Sequence, residues 1–133
     1  MPPSTEGLHP ELIGKINKIL EAMSVLGYPM MVVQTVRTVA EQQALFAKGR
    51  TTPGTIVTNC DGILRKSNHQ LQADGYGHAV DCAFVDDPAT TKVETWDPSQ
   101  PWELYGEMGE ALGLTWGGRW KRPVDRPHLE LRP

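Results

Sequence analysis

The sequence predicts an α+β fold in one domain, with a small, mostly antiparallel sheet flanked by about three helices. Three observations lead there. Apolar residues recur at helical spacing in some stretches and cluster as short β-branched runs in others, without the regular strand-helix alternation of a parallel sheet. The length of 133 residues suits one domain with one core. No internal repeat and no interdomain linker interrupts residues 1–133.

Residues 1–8 read as a flexible leader. Pro10 then opens a helix, since the first helical position tolerates proline. Leu12, Ile13, Ile16, Ile19, Leu20 and Met23 give it one apolar face, and Gly27 ends it. Residues 30–36 are apolar and rich in β-branched side chains, so they form a strand with Arg37 at its end. Thr38 and Glu41 have capping-box spacing and start a second helix. That helix carries Ala44, Leu45 and Phe46 and stops at Gly49.

Residues 50–78 have few periodic apolar positions and are punctuated by Pro53, Gly54, Asp61-Gly62 and Asp74-Gly75. An irregular stretch of this length inside a compact domain points to function, and it holds His69. Residues 79–85 form a strand with Ala79, Asp81 and Ala83 on one face and Val80, Cys82 and Phe84 on the other. Residues 86–100 read as a polar loop. Residues 101–112 form a third helix capped by Gly113, and residues 114–116 and 128–131 are short strands around a turn at 117–120.

Composition excludes several classes. Hydrophobic content of 39% and charged content of 22% are ordinary for a globular protein, and the formal charge of -3 gives no pull toward nucleic acid. No apolar run of about 18 residues is present, so no membrane span is expected. Residues 1–10 lack a basic region and an apolar core, so the expectation is a chain made and kept in a cytoplasm. Cys60 and Cys82 are too few for a disulfide framework, and Cys82 reads as a buried thiol rather than a ligand.

Asp81 lies in an apolar strand and needs a partner there, because burying a lone carboxylate is costly. A metal would supply one. His69, Asp81 and His128 can be three ligands of one zinc ion, which leaves a fourth position for water. Asp125, three residues before His128, can act as general base. Arg37 can face a developing oxyanion, or be a surface arginine. The histidines number four, His9, His69, His78 and His128, and this spacing alone does not single out a metal site.

The motifs in order are Arg37, Glu41-Gln42, Gly49-Arg50, Pro53-Gly54, Val57-Thr58-Asn59, Ser67-x-His69, Gly77-x-Ala79-Val80-Asp81, Trp116-Gly117-Gly118, Trp120 and Asp125-x-Pro127-His128. From about residue 30 to the end, this order resembles the LAS metallopeptidases, the superfamily of the D-alanyl-D-alanine carboxypeptidases. The resemblance is closest to the L-alanyl-D-glutamate peptidases of phage endolysins and bacterial wall hydrolases.

The resemblance implies the LAS, or Hedgehog-like, peptidase fold. It implies that His69, Asp81 and His128 bind one Zn2+, that Asp125 is the base, and that Arg37 holds the substrate carbonyl. Ser67 would support the site by hydrogen bonding. Trp116 and Trp120 would line the cleft, with a core role equally open for each. One departure stands out: Gln70 to Tyr76 lengthen the segment between His69 and Gly77, which reads as an added turn. His78 then lies near Asp81, but three positions along a strand turns it to the opposite face, so His69 is the preferred ligand and His78 is left to the substrate or the surroundings.

The implied function is a zinc-dependent peptidoglycan hydrolase that acts as a monomer on the L-Ala–D-Glu bond of the stem peptide, with no nucleic-acid partner and no membrane insertion. An endolysin would leave the host cytoplasm through a holin pore. Two alternatives remain open: removal of terminal D-alanine by the same fold, and a non-catalytic zinc-binding recognition module. The acidic pair Asp86-Asp87 makes a calcium site conceivable.

Overall fold

The computed structural model describes residues 4–85, 94–96, 98–121 and 124–132. Its elements run α1 (Pro10–Val25), β1 (Met30–Gln34), α2 (Val39–Ala47), β2 (Ala79–Val85), β3 (Glu94–Thr95), α3 (Trp102–Ala111), β4 (Thr115–Trp116), a 3-10 turn (Gly117–Arg119) and β5 (His128–Glu130). The expected α+β architecture with three helices is the one observed. Asp86 and Asp87 lie outside the described residues.

The sheet has the order β1-β2-β5-β4, and β3 also pairs with β2; every pairing is antiparallel. β3 falls within the segment expected to be a loop. Two residues are too short to give a periodic signal, so the strand exists only through its pairing with Phe84 and Val85. β1 stops at Gln34 rather than at residue 36. Its register against β2 shifts between Val32 and Gln34, as where an extra residue enters a ladder.

Strand alternation divides the sheet into two faces. Val80, Cys82, Phe84 and Leu129 face the core with Leu12, Ile16, Ile19 and Met23 of α1 and Trp102 and Tyr105 of α3. The other face carries Asp81, His128 and Glu130. Both long helices end in the same way. Tyr28 N donates to Met23 O and Leu114 N to Gly109 O, across Gly27 and Gly113 in the left-handed region.

α3 approaches the sheet closely because two of its positions lack a Cβ. A Cβ at Gly106 would come within 2.0 Å of the Trp116 ring, and one at Gly109 within 2.4 Å of Leu129. α2 is different. Its capping box forms as expected, with Glu41 N bonded to Thr38 Oγ1 and Thr38 N to Glu41 Oε1, yet the residue it buries completely is a glutamine, Gln42.

The segment read as a flexible leader is packed where it is described. Leu8 is buried and bridges to Gly77, Gly77 N donates to Gly7 O, and Thr35 Oγ1 donates to Ser4 O. Those contacts join residues far apart in sequence, so local composition carries no sign of them. No helix among the described residues is long and apolar enough to cross a membrane.

Candidate metal centre

Two of the three expected ligands come from paired strands. Asp81 on β2 stands directly opposite His128 on β5, and Ala79 opposite Glu130. Directly opposed residues share a face, so the ladder itself brings Asp81 and His128 together. His128 Nδ1 lies 3.2 Å from Asp81 Oδ1. The turn leading into β5 is pinned from several sides. Tyr105 OH donates to Pro127 O at 2.7 Å, Trp116 Nε1 to Arg126 O at 2.7 Å, and Asp125 N to Gly117 O at 2.9 Å.

His69 comes from the irregular segment and is held by polar contacts. Its backbone N–H donates to Ser67 Oγ, its carbonyl accepts from Arg37 N, and its Nδ1 lies 2.9 Å from Thr35 O. The surrounding loop is tied down by buried amides. Gln70 accepts from Ser67 N and donates to Gly62 O. Gln42 accepts from Arg37 Nη1 at 2.6 Å and donates to Thr58 Oγ1 and Cys60 O.

His69 Nε2, Asp81 Oδ1 and His128 Nδ1 form a triangle with three edges of 3.2 Å. Tetrahedral zinc with bonds of ~2.0–2.1 Å spaces its ligand atoms ~3.3–3.4 Å apart, so the triangle fits one such ion. The hydrogen bonds on the far sides of both rings also fit. A carbonyl only accepts, so His69 carries a proton on Nδ1 toward Thr35 and offers Nε2. His128 Nε2 lies 2.7 Å from Glu130 Oε1, which keeps a proton there and leaves Nδ1 for a metal.

Glu130 is itself buried, and its Oε2 accepts from Asn68 Nδ2 at 2.7 Å and Arg132 Nε at 2.6 Å. Burial alone would raise its pKa, but the bonds from His128 and Arg132 bring it down to about 2. Burial likewise opposes ionisation of Asp81, yet His69 and His128 hold its carboxyl below the usual range. Burial would also lower the pKa of His128; Asp81 and Glu130 overcome it and raise the value to about 10.

Asp125 Oδ2 lies 3.8 Å from His128 Nδ1. Burial, then the neighbouring charge of Asp81, raises its pKa to about 6, a range in which a carboxylate can both take and return a proton near neutral pH. Arg37 is buried, lies 3.8 Å from Asp81 Oδ2 and has an Nε with no hydrogen-bond partner among the described residues. Burial lowers its pKa, with Asp81 and Asp125 opposing that shift.

Other expected residues are sorted by the same geometry. Ser67 is buried beside His69. His78 lies apart from the triangle, with Nε2 2.7 Å from Asp74 Oδ2 and Nδ1 3.1 Å from Leu131 O. Trp120 lines the cleft, its ring 4.8 Å from that of His128. Trp116 does not: it is a core residue, 3% exposed, with Gly106 and Gly118 leaving room for its ring. Of the two places open to it, cleft wall or core, it takes the core.

Sequence reasoning missed Glu130 and Asn68, and it placed Gln42 and Gly117 in the motif order without seeing the buried hub or the steric role. Strand alternation could have found Glu130, two residues beyond His128. Gly117 has a steric role, since a Cβ there would lie 2.4 Å from Asp125 O.

The triangle lies on the wall of a cleft of about 1030 Å³, which Arg37, Ser67, Asp125 and Trp120 also line. The M15 peptidase family model described as D-alanyl-D-alanine carboxypeptidase matches residues 63–131, the stretch that holds all three donors. The peptidoglycan L-alanyl-D-glutamate endopeptidase CwlK of Bacillus subtilis is 32% identical over 136 residues, covering 98% of this chain and 77% of that protein.

Two solved structures share the fold. The L-Ala D-Glu endopeptidase ChiX of Serratia marcescens has a TM-score of 0.57 at 23% identity, covering 96% of this chain and 83% of its own. The LD-carboxypeptidase LdcB has a TM-score of 0.62 at 18% identity, covering 97% and 69%. With the family match spanning the donor-bearing strands and a relative of this similarity along nearly the whole chain, the protein belongs to the M15 peptidase family.

Proposed function

We propose that this chain is a zinc-dependent peptidoglycan peptidase that cuts the L-Ala–D-Glu bond of the stem peptide. The observation that carries the reading is the triangle of His69, Asp81 and His128 with Asp125 beside it. The similarity to CwlK supports the choice of bond.

His69, Asp81 and His128 would hold the ion, with Thr35 and Glu130 fixing the two imidazoles. When bound, zinc lowers the pKa of a water toward 7 and polarises a carbonyl. Asp125 accepts the proton as the water oxygen adds to the L-alanyl carbonyl carbon. The C–N bond then breaks, and Asp125 returns the proton to the leaving nitrogen of D-glutamate. Arg37 adds a fixed positive charge at the cleft floor, favourable to the oxyanion.

Digestion of purified muropeptides followed by mass spectrometry tests the bond. New L-alanine C-termini and D-glutamate N-termini are expected. Release of free D-alanine without them would replace this reading with the carboxypeptidase one, which the description of the matching family favours. Asp125→Ala should keep its zinc and lose hydrolysis by ~10²–10⁴-fold. Retained metal with full activity would remove Asp125 from the role of base.

A further inference from the structure

Among its described lining residues, the cleft has the opposite charge to the chain. The sequence has 13 Lys and Arg against 16 Asp and Glu. Among the described residues the cleft is lined by six of those cations, Arg37, Lys48, Arg65, Lys66, Lys121 and Arg132, against three carboxylates, Asp81, Asp125 and Glu130. All three carboxylates are already engaged around the triangle.

Four of the cations are free to act. Arg37 and Arg132 are committed to Gln42 and Glu130. Lys48, Arg65, Lys66 and Lys121 are exposed and have no carboxylate partner among the described residues. Elsewhere among the described residues Lys15 pairs with Glu11 and Arg119 with Glu103 and Glu110, while Lys18, Arg50 and Arg126 likewise have no carboxylate partner; what sets the four apart is that they share one cleft. The four also flank the triangle from separate segments. Arg65 and Lys66 directly precede the Ser67–His69 turn, Lys48 follows α2, and Lys121 follows Trp120, whose ring lies against His128.

A cleft with a positive wall recognises an anionic ligand. The D-glutamyl residue has two carboxyl groups. One makes the onward peptide bond, and the other is either a free carboxylate or a carboxamide. We propose that Arg65 and Lys66, with Lys48 and Lys121 around them, select stem peptides whose D-glutamyl carboxyl is free over those in which it is amidated. The selection rests on the stem-peptide reading above and adds the acid-base form of the substrate to it. It operates in binding, through charge-assisted hydrogen bonds and the field of the cleft.

Two synthetic stem peptides that differ only in this carboxylate or carboxamide test the idea with the zinc-loaded chain. The free acid is expected to have roughly 10- to 100-fold higher kcat/KM, mostly through KM, because hydrogen bonds between charged groups are worth that much. Raising the salt should narrow the ratio. In an Arg65→Gln/Lys66→Gln double variant the ratio should fall toward one, whereas Lys18→Gln on the exposed side of α1 should leave it intact. Equal rates in the wild type, or an unchanged ratio in the double variant, would overturn the proposal.

Binding of both peptides to zinc-loaded Asp125→Ala, measured by calorimetry, separates the two layers. Tighter binding of the acid without cleavage by the wild type keeps the selectivity and rejects the cleavage assignment. Equal binding of the two peptides rejects the selectivity whatever is cleaved.

Discussion

The two sides of the candidate metal centre are built by different means. Asp81 and His128 are neighbours because β2 and β5 pair, and backbone ladders hold them whatever the nearby side chains are. His69 belongs to a segment with no regular structure, and a few buried amides and carbonyls position it. Strand pairing therefore secures two donor atoms with little dependence on sequence. The third depends on particular side chains, and an apolar replacement there leaves buried partners unsatisfied.

The largest expected effect comes from removing the loop's donor. His69→Ala should lose its zinc on dialysis, with a cost well beyond the ~10–100-fold of losing an outer hydrogen-bond partner. His78→Ala should retain the metal, since His78 lies apart from the triangle. Metal analysis of the two variants checks both, and the reverse pattern would move the site.

Next in size is the hub of the loop. Gln42→Leu removes the acceptor of Arg37 Nη1 and the donor to Cys60 O. Each buried group left unpaired costs ~1–3 kcal/mol. Thermal unfolding should show the loss, and limited proteolysis should open residues 50–66 before the sheet. Equal protection of both regions would contradict the division drawn above.

On the sheet side, Glu130→Gln keeps the shape and removes the charge behind His128. Zinc affinity should fall by ~10–100-fold, read by competition with a chelating dye. An unchanged affinity would mean that Glu130 only packs.

A further effect is a slope with pH. His128 in the metal-free fold has its pKa raised from 6.5 to about 10. The stability it contributes is therefore complete below pH 6.5 and is lost as the pH rises through 10. Denaturant titrations of chelated protein should show that decline, and Glu130→Gln should flatten it. Zinc should reverse it, because binding requires Nδ1 without its proton.

The regular elements were legible where periodicity is strong. The apolar face of α1, the capping box of α2 and the alternation of β2 are local patterns that the fold respects. β3 and the packed residues 4–8 were not, because each is defined by a distant partner. The candidate site divides similarly. Residue types and motif order pointed to His69, Asp81, His128 and Asp125. Gln42 stood in the motif order without a role and Asn68 gave no signal, since a buried amide looks like any surface amide until the loop folds over it. Trp116 was ambiguous because its burial depends on missing side chains at Gly106 and Gly118.

The lengthened stretch after His69 has a consequence for engineering. It leaves and returns at one point: His78 N donates to Asn68 O, while Leu71 bridges to Gly77 and Gln72 N bonds to Tyr76 O around the exposed Asp74-Gly75 tip. A closed excursion of this kind insulates the residues at its base from its own length. Each doubling of such a loop adds only ~0.6 kcal/mol of closure entropy. The tip at Asp74-Gly75 is thus a natural port for grafting an epitope, a fluorophore tag or a wall-targeting peptide without disturbing the chemistry beneath it.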